Sequence, residues 1–198
     1  MTGWTTHTGR AAALRLSNVD TDQLIPARFM STPRAEGYGR FLLHDTDAHL
    51  PEGTTILVAG PNFGSGSSRE AAVYALVDFG IRAVIAPSFG DIFAANAVNN
   101  GLLPAAIADA PALWDDLPAE IEIDLAAGTL RGPGPGGERR FALDPAQRDK
   151  LIHGWDDIDL TAQHGPAIAA FRNDRHANHP WAVPARDQRS GHPTGEDE

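Results

Sequence analysis

Asn62-Phe63-Gly64-Ser65-Gly66-Ser67-Ser68-Arg69-Glu70 sets glycines, serines and a single guanidinium in one short loop. It follows Thr54-Thr55-Ile56-Leu57-Val58-Ala59, an apolar, β-branched run that breaks at Gly60-Pro61. After it comes Glu70-Ala71-Ala72-Val73-Tyr74-Ala75-Leu76-Val77-Asp78-Phe79, rich in helix formers and stopped by Gly80. The pattern predicts a buried strand, a glycine loop and a helix. Such a loop is suited to an anion, because the first helical turn offers free N–H groups and glycines let a ligand approach the backbone. Arg69 adds a planar fork that matches a carboxylate or a phosphate. Ser67-Ser68-Arg69-Glu70 also fits a capping box, with Ser67 as N-cap and Glu70 at N3. That box accounts for one serine and the glutamate. It leaves Gly64, Gly66, the second serine and Arg69 unexplained.

Working outward, Arg10 to Leu14 reads as an early strand, and Ser17 to Pro26 as a polar, turn-prone cluster around Asp20-Thr21-Asp22. In an extended segment both carboxylates would share a side; ahead of a short helix they would cap it instead. Arg28 to Leu43, with Pro33, Gly37 and Gly39, reads as a loop whose apolar residues either anchor it or line a pocket. Downstream, Ile81 to Ala86 is a second buried strand. Ser88 or Asp91 is placed to cap a helix through Val98 that stops at Gly101, and Leu102 to Ile107 resumes as strand. This order predicts an α/β fold with a mixed, partly parallel sheet and flanking helices. Ala110 to Leu117 reads as a short helix, and the strict alternation of Glu120 to Leu125 as a half-exposed strand. Gly132 to Gly137 makes a hairpin or loop, and helices are expected over 144–154 and 166–171. Residues 1–172 read as one domain and 173–198 as a polar, flexible tail. His176, His179 and His192 invite a metal reading there, but no metal-ligand set is assigned.

The chain has 198 residues, 42% of them hydrophobic, enough for its own core. A net charge of −10 at pH 7, with Lys150 as the one lysine, argues against nucleic acid or an anionic membrane as partner. There is no cysteine, so disulfides, thiolate nucleophiles and iron–sulfur ligation by this chain are excluded. No basic leader and no membrane-length apolar run stand out, and a cytoplasmic location is expected.

Several stretches together resemble the small subunit of 3-isopropylmalate dehydratase, the swivelling β/β/α domain of the aconitase superfamily. They are residues 6–10, Asn18 to Pro26, Asn62 to Glu70, Val84 to Phe89, Asp91-Ile92-Phe93, Asn100 to Pro104, and Asp156 to His164. They run in the family's order from the start to about Phe171. The resemblance implies one half of a hydro-lyase, inactive alone, that interconverts 2-isopropylmalate and 3-isopropylmalate through 2-isopropylmaleate in leucine biosynthesis. It implies a large subunit carrying a [4Fe–4S] cluster, with no cofactor bound by this chain. Ser67 would take the proton beside a carboxylate and Asp22 would support it. Ser68, Arg69, Gly64 and Gly66 would bind substrate, while Phe29, Met30 and Arg34 would set specificity. The partner's iron would act as Lewis acid on the departing hydroxyl.

Two departures bear on the substrate. The family's usual histidine after Arg-Glu is replaced by Ala71-Ala72, and the 42–51 segment is shortened. A paralogue acting on another 2-hydroxy dicarboxylate is therefore an alternative, as is a non-catalytic interaction subunit. A dinucleotide fingerprint fails because Arg69 stands where the third glycine belongs, and no Gly-Lys-Ser/Thr follows for a P-loop. A G-x-S-x-G elbow fails because Gly66 occupies the serine position.

Overall fold

The computed structural model describes residues 2–67, 69–133 and 137–182. The chain gathers into two compact units that part between Leu160 and Thr161. The first holds β1 (Thr6–Leu14), α1 (Thr21–Leu24), β2 (Thr54–Ala59), α2 (Glu70–Phe79), β3 (Ala83–Ala86), α3 (Asp91–Asn99) and β4 (Leu103–Ala106). It continues through β5 (Ala119–Asp124), β6 (Thr129–Arg131), β7 (Glu138–Arg140) and α4 (Pro145–His153). α5 (Asp157–Ala162) crosses the boundary, and α6 (Gly165–Asn178) belongs to the second unit. The tail expected from residue 173 thus starts within α6, and its residues 183–198, His192 included, lie outside the described residues.

One 7-stranded sheet runs in the order β4-β3-β2-β1-β5-β6-β7. β1 to β4 are mutually parallel, and β5 to β7 add antiparallel on the other side of β1. This is the mixed, partly parallel α/β architecture of a swivelling β/β/α domain. The reason is legible in β2 and β3, which are apolar on both faces. Leu57, Ala59, Val84 and Ala86 pack into one core with Val73 and Leu76 of α2 and Phe93 and Ala97 of α3. Ile56, Val58, Ala83 and Ile85 pack into a second core with Ile121 and Ile123 of β5, Leu151 of α4, and Leu113 of the 3-10 helix Ala110–Asp116. A strand buried on both faces carries a near-continuous apolar run, and that is how these two read. β5, by contrast, keeps Glu120 and Glu122 outside and buries only its isoleucines, at 0% exposure.

β1 is longer than the expected run from Arg10. Its extra residues pair antiparallel with β5, from Thr6 opposite Asp124 to Ala11 opposite Ala119. Polar residues at Thr6, Thr8 and Arg10 hide this strand from an apolar pattern, because backbone pairing rather than burial fixes it. The start of α2 also differs from expectation. Arg69 is its N-cap and makes no side-chain capping bond, so Glu70 is the first helical residue and the Ser67–Glu70 box does not form. Glu70 instead accepts a hydrogen bond from Asn100 Nδ2 at 2.9 Å. Between α1 and β2 the chain makes three short 3-10 turns, Ala27–Ser31, Arg34–Glu36 and Gly39–Phe41.

Candidate functional site

Three segments leave the C-terminal ends of β1, β2 and β3 and are knitted together there. That edge is where ligands bind in open parallel sheets. The glycine loop is fastened to the first segment by Gly64 N–H to Val19 O at 2.7 Å, and Thr21 N–H returns to Ser65 O at 3.1 Å. It is fastened to the third by Phe63 N–H to Ser88 O at 3.0 Å and Gly90 N–H to Phe63 O at 2.9 Å. Asn18 and Asn62, both at positive φ, join side chains at 2.9 Å, and Ser88 Oγ accepts from Asn62 N–H at 2.9 Å. Ser88 is thereby spent on the loop, and Gly90 rather than Ser88 or Asp91 stands at the N-cap of α3.

Gly64 and Gly66 have φ values of 73° and 90°, in the left-handed region. At Gly64 packing adds a second demand, since a Cβ would lie 2.2 Å from the Phe93 ring. Phe93 in turn meets Phe63 edge to face at 5.3 Å between centroids. The aromatic floor therefore fixes how low the loop sits.

The two aspartates flanking Thr21 divide their work. Asp20 caps α1 in a capping box, accepting from Gln23 N–H at 2.8 Å while Gln23 Oε1 accepts from Asp20 N–H at 2.9 Å. Asp22, in the first turn of α1, pairs with the Arg69 guanidinium through Nη1. Thr21, 2% exposed, donates its hydroxyl to Ser67 O at 3.1 Å and holds the serine's backbone in place. These contacts bring Asp22, Gly64, Gly66, Ser67 and Arg69 together; Ser68 lies outside the described residues. A cavity of about 210 Å³ opens there, bordered by Ser65, Ser67, Arg69 and Thr21 on one side and by Asp91, Ile92 and Phe93 on another. Thr21 and the start of α3 read from sequence as a turn and a helix cap, not as residues of the site. The signal for Thr21 is its place between two carboxylates that both have partners.

Phe29, Met30 and Arg34 do not border this cavity. Phe29 stacks on Phe41 at 4.2 Å, with planes 7° apart. Arg34 grips Asp78 of α2, its Nη2 donating at 2.8 Å, and lies over the Tyr74 ring at 4.3 Å. Burial and the neighbouring Glu70 push the Tyr74 phenol up, so it stays neutral beside that guanidinium. Ala71, the residue that follows Arg69-Glu70, is half-buried, Ala72 beside it is fully buried in the core, and neither borders the cavity.

No group of three or more His, Cys, Asp or Glu among the described residues is placed to hold a metal ion. His179 meets Trp181 edge to face at 5.2 Å in the second unit. No helix of the described residues is long and apolar enough to cross a membrane.

The aconitase C-terminal domain model matches residues 41–110, which include the glycine loop and α3. The chain is 44% identical over 193 residues to the 3-isopropylmalate dehydratase small subunit of Shewanella baltica (strain OS185), covering 86% of this chain and 96% of that one. It is 43% identical over 202 residues to that of Rhodopseudomonas palustris (strain TIE-1), covering 92% of this chain and 100% of the relative. Among solved structures it resembles the 3-isopropylmalate dehydratase of Methanocaldococcus jannaschii, with a TM-score of 0.65 and 28% identity over 84% of this chain and 99% of that chain.

Proposed function

Because this chain belongs to the family of 3-isopropylmalate dehydratase small subunits, we propose that it is one half of a cytoplasmic hydro-lyase that interconverts 2-isopropylmalate and 3-isopropylmalate through 2-isopropylmaleate in leucine biosynthesis. The observation that carries this reading is the 44% identity that extends over 96% of a relative with that name. The partner is a large subunit bearing a [4Fe–4S] cluster. This chain is not suited to carry one: it has no cysteine, and its described residues offer no ligand cluster. Its part in the reaction is to bind, orient and move a proton.

Arg69 presents the edge of its guanidinium not taken by Asp22 to a substrate carboxylate, and the free N–H groups at the start of α2 add to that field. Asp22 positions the fork. Ser67, exposed at the cavity and free of any capping duty, takes the proton from the carbon beside the bound carboxylate. A serine is a weak base unless its alkoxide is stabilised, and the adjacent cation and helix N–H groups supply that stabilisation. Ser68, outside the described residues, is assigned to the same carboxylate on the family resemblance alone.

The test is turnover of 2-isopropylmalate by this chain mixed anaerobically with the cluster-loaded large subunit from the same genome. Citramalate and citrate serve as competing substrates. Arg69→Lys keeps the charge and loses the fork, and turnover is expected to fall by about 10- to 100-fold, the loss of about one good charged hydrogen bond. Firm association of the two chains without turnover of 2-isopropylmalate would overturn the reading.

A further inference from the structure

Ile92 is a large aliphatic side chain left 55% exposed in the first turn of α3, while its neighbour Phe93 is 4% exposed. A lone exposed aliphatic is ordinary on a protein surface. The place of this one is not, because it borders the same cavity as Ser67 and Arg69. That cavity has a polar wall with the guanidinium on it and an apolar contribution from Ile92. Phe29 and Arg34 are committed to Phe41 and Asp78 and stand outside it. The start of α3 is also held fast, by Gly90 N–H to Phe63 O at 2.9 Å and by the Phe93 ring lodged under Gly64.

Resting on the dehydratase reading above, we propose that Ile92 is a specificity-determining residue of that reaction. It forms the apolar wall that receives the branched alkyl arm of a 2-hydroxy dicarboxylate whose carboxylate is held at Arg69. An isopropyl arm buries against Ile92 and takes it out of water. A methyl arm leaves part of it wet, and a carboxylate arm is stripped of hydration there without a donor in return. Discrimination by alkyl size in an apolar pocket is worth roughly 10- to 200-fold.

The experiment compares wild type, Ile92→Ala and Ile92→Val in the two-chain enzyme at saturating large subunit. The readout is the ratio of kcat/KM for 2-isopropylmalate to that for citramalate, which carries a methyl group in place of isopropyl. A methyl substrate turned over too slowly to follow is scored by its inhibition constant, read in the same ratio. The ratio is expected to fall by about tenfold or more in Ile92→Ala, chiefly through KM, and to recover most of the way in Ile92→Val. An unchanged ratio, including equal losses on both substrates, overturns the role of Ile92 alone. Absence of turnover by the wild-type pair overturns the dehydratase reading and this inference with it.

Discussion

Gly64→Ala tests the claim that the glycine loop rests on an aromatic floor. Two costs are separable. At φ 73° an L-residue bears a left-handed penalty of roughly 1–2 kcal/mol. Beyond that, the new Cβ would sit 2.2 Å from the buried Phe93 ring, and pushing such a ring aside costs about 1–3 kcal/mol. The sum, about 2–5 kcal/mol, is a large share of the roughly 5–15 kcal/mol that holds a domain together. Gly53 supplies the control: its φ is 75°, but a Cβ there meets nothing within 4 Å. Gly53→Ala should therefore show the conformational cost alone. Urea unfolding of both variants measures the difference, and Gly64→Ala is expected to lose about 1–3 kcal/mol more. In a Phe93→Leu background the excess should shrink, since the ring that opposes the methyl is gone. Equal destabilisation of Gly53→Ala and Gly64→Ala would refute the argument.

Thr21→Val keeps the shape of a buried side chain while removing the hydroxyl that donates to Ser67 O; it should cost about 0.5–1.5 kcal/mol in urea unfolding and lower turnover by more than that loss explains. The His7 imidazole is held below its usual range by burial and by the nearby Arg82, so its neutral form is favoured in the folded chain. The stability this contributes is complete above the unfolded value of about 6.5 and is lost as pH falls through the lower folded value, so a plot of unfolding free energy against pH should rise toward about 6.5 and flatten there, and His7→Gln should remove that rise.

The middle of the fold was legible because burial and sequence pattern agree there. β2, α2, β3 and α3 are apolar runs that stop ahead of Gly60, Gly80, Pro87 and Gly101, whereas the starts of α2, at Glu70, and of β3, at Ala83, carry no such mark. β1 was only half legible, since its polar half is fixed by pairing with β5, which lies more than a hundred residues away in sequence. The 27–41 segment could be read as a loop, but not what its side chains hold. The bond from Arg34 to Asp78 joins residues remote in sequence, and no local pattern announces it. Within the site, glycines at 64 and 66 were recognisable as backbone positions with unusual freedom. The Phe93 ring beneath Gly64 was not, because it is contributed by α3, nearly thirty residues further on. The Ser67 capping box was a true local match that the chain does not use. With α2 starting at Glu70, that glutamate is one residue into the helix and cannot reach back as an N3 residue does.

The position of β1 at the centre of the sheet has a consequence for how the polypeptide emerges from a ribosome. Its parallel partner β2 is complete at Ala59, and β3 and β4 follow by Ala106, so one side of the sheet can assemble early. The opposite edge of β1 stays unpaired until β5 is made at Asp124, which at about 5–20 residues per second is an interval on the order of seconds. An unpaired strand edge is an invitation to the wrong chain. The polar Thr6, Thr8 and Arg10 lie along that edge and make it a poor template while it waits.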